Sequence, residues 1–143
     1  MKKRIPFFFA VLLLTGCVSA SPAPTATPTP SAAPADAPAY RKITMTEAVK
    51  MMEEESGYII LDVRTVEEYD EKHIPGAINI PNETIASEEI PELPDKAQLI
   101  LVYCRSGNRS KKASEKLVKL GYTNIVEFGG INTWPGETVS GNG

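Results

Sequence analysis

The stretch Val102-Tyr103-Cys104-Arg105-Ser106-Gly107-Asn108-Arg109-Ser110 sets a thiol, two guanidiniums, two serine hydroxyls and a glycine side by side. Cysteine attacks as the thiolate, and the thiolate forms near neutral pH where backbone N–H groups, the positive end of a helix dipole or cations face the sulfur. The flanking residues supply such a place. Leu99-Ile100-Leu101-Val102-Tyr103 is an apolar run of the kind that makes a fully buried strand, and from Ser110 onward Ala113, Leu117, Val118 and Leu120 recur at helical spacing. Cys104 thus falls at a strand-to-helix junction, with the cations Arg105 and Arg109 following it, and the stretch reads as an activated thiol on an anion-holding turn. The plain alternative is a small cysteine of the core. That reading gives no reason for Gly107 and two arginines beside it.

Other residues could serve the same site. Tyr58-Ile59-Ile60-Leu61-Asp62-Val63 is a nearly continuous apolar run, the mark of a central parallel strand covered on both faces, and Asp62 is its exception. Asp62 and the neighbouring Arg64 lie near the carboxyl end of that strand, where open α/β sheets place their ligand sites. His73 is the one histidine. It could be a base for Cys104, or an imidazole that bonds backbone and fixes a turn; the second is preferred, because a thiolate already activated by its loop needs no base. The two cysteines, Cys17 and Cys104, stand in contexts so different that a bond between them is not expected, and they supply neither a disulfide framework nor a cysteine metal site.

The remaining elements follow from caps and turn residues. Tyr40 to Ile43 reads as an edge strand; Thr44 with Glu47 forms a capping box for a helix whose inward positions are Ala48, Val49 and Met52 and whose stop is Gly57. Thr65 with Glu68 forms a second box, opening a short helix that carries Tyr69 and ends near His73. A turn and a third short strand follow to Pro81, then an acidic loop over 82–98 with room for one helical turn. Past the Cys104 loop and its helix, Gly121 sits as a C′ glycine, Ile125 to Phe128 is the last strand, Gly129-Gly130 turns the chain, and Ile131 to Trp134 is a short helix with Trp134 as packing. Strands alternating with helices predict an α/β domain over 40–137 with a mainly parallel sheet, followed by a flexible tail over 138–143.

The N-terminal third is of another kind. Met1-Lys2-Lys3-Arg4 is a basic start, and Ile5 to Leu14 is an apolar stretch too short to span a bilayer as a mature helix, so 1–16 reads as a signal peptide. Leu14-Thr15-Gly16-Cys17 resembles the lipobox of bacterial lipoproteins, which implies that Cys17 is lipidated and becomes the first mature residue. More than one acyl chain on Cys17 would give stable anchoring in a membrane, with the protein exported and its domain on the outer side. Residues 17–39 are rich in Pro, Ala, Ser and Thr, a semi-rigid stalk. Extended at ~3.1 Å per residue it reaches at most roughly 70 Å. Removing Lys2, Lys3 and Arg4 takes the formal charge from −3 to −6, which excludes general nucleic-acid binding.

Leu61-Asp62-Val63-Arg64, His73-Ile74-Pro75-Gly76-Ala77-Ile78-Asn79, Cys104 to Ser110, and Gly129-Gly130 with Trp134, in this order and spacing, together resemble a single-domain rhodanese, or thiosulfate sulfurtransferase. The resemblance implies a three-layer rhodanese-like α/β fold with a sheet of about five strands flanked by helices. It also implies that Cys104 carries sulfur as a covalent persulfide without a separate cofactor or metal, taking it from a donor such as thiosulfate and passing it to cyanide or a thiol acceptor. Arg105, Ser106, Gly107, Asn108, Arg109 and Ser110 would then bind the substrate, Asp62 and Arg64 would organise the site, and His73 would be structural. Ser106 stands where the best-known two-domain members have lysine, which bears on how tightly a dianionic donor is held. Two competing readings remain: a phosphatase or arsenate reductase, whose loop resembles Cys-x5-Arg where this chain has Cys-x4-Arg, and a redox or sulfur-sensing module without turnover. A sensor needs a resolving thiol, and none remains in the mature chain if Cys17 is lipidated. The small size and stalk are compatible with a monomer.

Overall fold

The computed structural model describes residues 39–86 and 89–141. The expected signal stretch, Cys17 and all of the stalk but its last residue lie outside the described residues. In chain order the elements are β1 (Arg41–Lys42), α1 (Met45–Glu54), β2 (Ile59–Asp62), α2 (Val66–Glu71), β3 (Ala77–Asn79), β4 (Ile100–Cys104), α3 (Asn108–Lys119), β5 (Ile125–Gly130) and a 3₁₀ turn (Ile131–Thr133). The five strands form one sheet in the order β1-β5-β4-β2-β3, and every pairing is parallel. Parallel sheets need cover on both faces, and β4 shows why its sequence is apolar throughout. Ile100, Val102 and Cys104 join the core beneath α3, while Leu101 and Tyr103 join the core that holds Ala48 of α1 and Tyr69 of α2. Alternation along a strand serves both layers at once.

Local signals set the helix ends. Thr44 accepts from the Glu47 amide at 3.2 Å while the Glu47 carboxylate accepts from the Thr44 amide at 2.7 Å, and Thr65 with Glu68 repeats the arrangement at the start of α2. Gly121 follows α3 with φ +90°, the left-handed conformation of a C′ residue.

Three expectations are corrected. Residues 82–86 and 89–98 form turns with no helix, yet Ile85, Ile90 and Leu93 are buried in the α3-side core, and Tyr122 donates to the Leu93 carbonyl at 2.7 Å. The last strand does not stop at Phe128: β5 runs on through Gly129 and Gly130, which can pair where the loop before α3 presses against it. The described part of the segment expected as a flexible tail, 138–141, is tied down, with Val139 and His73 exchanging backbone hydrogen bonds at 2.8 and 2.9 Å and the Gly141 amide donating to the Asp70 carbonyl at 2.8 Å.

α2 and α3 are joined by one ion pair. Arg109 Nη1 and Nη2 both donate to the Glu68 carboxylate, at 2.6 and 2.8 Å, with the two side chains about a quarter exposed. Arg109 holds the Glu68 carboxyl down from the ordinary 4.5 to about 2. The folded state therefore binds this proton less readily than the unfolded one, so the pair's contribution is complete above the ordinary carboxyl range and fades as pH falls towards 2. Glu68→Gln, which keeps a residue able to complete the capping box, is expected to cost about 1 kcal/mol at pH 7 after discounting for solvent, and close to nothing near pH 2, in urea unfolding of the two proteins at both pH values.

Candidate active site

β4 delivers Cys104 at its carboxyl end, and its ladder with β5 changes register there. Ile100, Leu101 and Val102 pair with Ile125, Val126 and Glu127, but after a shift Cys104 faces Gly130. Such an irregularity re-aims a side chain at the rim of a sheet. The chain then closes on itself: Gly107, in the left-handed region at φ +102°, caps α3 and points its amide at Cys104 Sγ, 3.0 Å away. Only glycine adopts that backbone without strain. On the other side, a side chain at position 130 would overlap the Arg105 carbonyl, so bare backbone is required where β5 meets the loop.

Cys104 is 1% exposed, at the floor of the loop. Burial alone pushes its thiol up, but the Ser110 hydroxyl and the amides of Ser110, Gly107 and Ser106 outweigh it, and the net displacement is downward. Ser110 Oγ lies 3.6 Å from the sulfur. Gly107 and Ser110 therefore act on the sulfur itself, and Ser110, fully buried, does not face solvent where a donor would enter.

The other loop residues divide differently from the sequence expectation. Arg105, Ser106 and Asn108 are exposed at the mouth. Arg109 is not aimed at the sulfur; its fork is occupied by Glu68. Arg105 has no ion-pair partner among the described residues and lines a cleft of about 270 Å³ with Lys72, Glu71 and Asn132. The cation available to an incoming anion at the mouth is thus Arg105, with Lys72 across the cleft.

Asp62 and Arg64 form a buried pair that supports the site from below. The carboxylate accepts from Arg64 Nε at 3.0 Å and Nη2 at 2.6 Å, and Nη2 also donates to the Lys72 carbonyl at 2.6 Å. Asn79 donates to the carbonyls of both Asp62 and Arg64, locking β3 to the same corner. His73 is fully buried, stacked on Tyr69 at 3.7 Å with its Nδ1 2.8 Å from the Tyr69 carbonyl, which fixes the α2–β3 turn. Trp134 packs on Phe128 and donates to the Glu137 carbonyl. Sequence reasoning missed Glu127, a fully buried carboxyl 2.7 Å from Ser110 Oγ. A charge in the middle of the last apolar strand was the available signal.

Residues 44–137 match the model of the rhodanese-like domain. Thiosulfate sulfurtransferase PspE of Escherichia coli K12 is 39% identical over 71 residues, which cover 50% of this chain and 68% of that protein. Thiosulfate sulfurtransferase GlpE of Coxiella burnetii is 31% identical over 96 residues, 66% of this chain and 87% of that one. Among solved structures, a rhodanese from E. coli described with anions superposes with a TM-score of 0.54 at 36% identity, covering 59% of this chain and 99% of its own. The matched span takes in the buried Asp62–Arg64 pair, the Cys104 loop and the β5 backbone against which the loop closes, and the chain belongs to the rhodanese-like domain family.

Proposed function

We propose that the protein is a thiosulfate sulfurtransferase of rhodanese type, working through a persulfide on Cys104 at the outer side of a membrane. The observation that carries this reading is the Gly107 amide donating to Cys104 Sγ at 3.0 Å inside a loop of backbone N–H groups. The names of the relatives support sulfur transfer in general. In the reaction, the thiolate attacks the outer sulfur of thiosulfate, the bond from that sulfur to the sulfonate breaks, and sulfite leaves with the electron pair. The new terminal sulfur of Cys104 then passes to cyanide or to a thiol acceptor. Loop amides already in place stabilise both thiolate and persulfide without reorganisation, and Arg105 attracts the anionic donor to the mouth.

Two features favour this over phosphate chemistry. The loop has four residues between Cys104 and Arg109, and the Arg109 fork that would hold a phosphoryl group is taken up by Glu68. The reading further places a lipid on Cys17 and the Pro-rich stalk between membrane and domain, on the strength of the sequence Leu14-Thr15-Gly16-Cys17.

The purified full-length chain is expected to form thiocyanate from thiosulfate and cyanide, and to gain one sulfur, about 32 Da, when the donor is supplied alone. Cys104→Ser is expected to abolish both; turnover of an aryl phosphate without thiocyanate would replace the reading. Arg105→Ala is expected to raise KM for thiosulfate roughly tenfold, equivalent to about 1.4 kcal/mol, with a smaller change in kcat, measured by steady-state kinetics. Mass spectrometry of the mature N-terminus tests the anchor: a chain that begins with Cys17 carrying a diacylglyceryl group on sulfur and an acyl group on its amino terminus is expected, and an unmodified chain starting elsewhere overturns it.

A further inference from the structure

The cleft beside the Cys104 loop holds charges of both signs that no step described so far employs. At about 270 Å³ it falls just below the roughly 300–1,000 Å³ of sites that enclose drug-sized ligands, so it has room for one small molecule. Arg105, the residue after Cys104, lines it together with Glu71 and Lys72 from the end of α2. None of these three has an ion-pair partner among the described residues. Arg64 is different: it is 2% exposed, yet it lines the same cleft. Its Nε and Nη2 are held by Asp62 and by the Lys72 carbonyl, while its Nη1 makes no hydrogen bond among the described residues. A buried donor without a partner is costly, and a ligand that accepts from it recovers that cost. Because the rest of the guanidinium is tied down, Nη1 is a donor fixed in direction before any ligand arrives.

We propose that this cleft is the acceptor subsite, and that the acceptor is a small thiol carrying both a carboxylate and an ammonium group, as an α-amino acid thiol does. Its carboxylate is taken by Arg64 Nη1 with Arg105 and Lys72, and its ammonium by Glu71. Guanidinium N–H groups match the two oxygens of a carboxylate. The mixed lining argues against a ligand that is negative throughout. Glu71 stands among the cations, and Glu68 lines the cleft as well with its carboxylate committed to Arg109, so a second negative charge would meet a carboxylate where an ammonium meets its complement. Ile131, also in the lining, offers apolar contact for the methylene that bears the sulfur.

The second half of the reaction, which rests on the sulfurtransferase reading, then runs without an oxidant or a reductant. The acceptor sulfur bonds to the terminal sulfur of the Cys104 persulfide, and the bond from that sulfur to Cys104 breaks. Cys104 leaves with the electron pair as thiolate, and the proton of the acceptor thiol ends on the new small-molecule persulfide. Donor and acceptor can both use Arg105 because they bind in turn: sulfite has left before the acceptor enters. Lys72 and Glu71 are thereby specificity-determining residues for the acceptor, outside the Cys104 loop itself.

To test this, the full-length chain is loaded with thiosulfate, freed of donor and mixed with cysteine, with cysteamine, which lacks the carboxylate, or with 3-mercaptopropionate, which lacks the ammonium. Loss of the added sulfur is followed by mass on the peptide carrying Cys104. Comparing each variant with wild type cancels the intrinsic reactivity of each thiol. Lys72→Ala keeps the backbone carbonyl that Arg64 uses, and is expected to lower the cysteine-to-cysteamine rate ratio roughly tenfold. Glu71→Gln is expected to lower the cysteine-to-mercaptopropionate ratio roughly threefold, as for one partly exposed charge pair. Lys50→Ala, on α1 and outside the cleft, removes the same charge and is expected to move neither ratio. A ratio unmoved by Lys72→Ala, or moved as far by Lys50→Ala, overturns the subsite, and a ratio unmoved by Glu71→Gln overturns its choice of a zwitterion. A chain that takes up no sulfur sinks the sulfurtransferase reading instead. The subsite is then read on the bare thiol, by exchange of Cys104 with cystine against cystamine: the same fall in ratio with Lys72→Ala supports it, and an unmoved ratio overturns it.

Discussion

Between β5 and the Cys104 loop there is no room for a side chain. Gly130 lies against the Arg105 carbonyl, where a Cβ would overlap it, and the Asn132 amide donates to that same carbonyl at 3.3 Å. The register shift after Val102 follows from this contact, because the last residue of β4 has to meet Gly130 rather than the residue an even ladder would supply. With that end fixed, Gly107 turns left-handed, its amide reaches the sulfur, and α3 starts at once. Cys104 is thus positioned by backbone from both sides.

Three of the carboxylates near the site are treated in three ways. Asp62 is buried and pairs bidentately with Arg64, an arrangement that is costly to break from either end because the remaining charge would be left alone. Glu68 is partly exposed and occupies Arg109, so one of the two loop arginines becomes a brace between helices. Glu127 is buried with only a hydroxyl and an amide to meet it. The positive potential at the loop is correspondingly smaller than a count of arginines suggests, and rests on Arg105 and on oriented amides.

Much of this was legible in the residues. The two Thr-x-x-Glu boxes, the apolar run ending in Cys104, Gly107 and Gly121 each report a local constraint that a single stretch of sequence expresses. What escaped depends on partners far along the chain. Arg109 looked like a ligand for an anion because Glu68, forty-one positions earlier, cannot be seen to reach it. Gly129-Gly130 looked like a turn because the pressure of the loop on β5 is tertiary, and Val139 looked free because its partner is the backbone of His73. The burial of Ile85, Ile90 and Leu93 was hidden by the acidic and proline-rich residues around them.

The strand order has a consequence in time. β1, the first strand, finds its place only beside β5, the last, with Arg41 opposite Val126. A chain made from its N-terminus cannot finish this sheet until nearly all of it has been synthesised, and pairings so distant in sequence form slowly. The topology delays folding of the nascent polypeptide, which keeps it threadable for longer, as the export proposed for it would require.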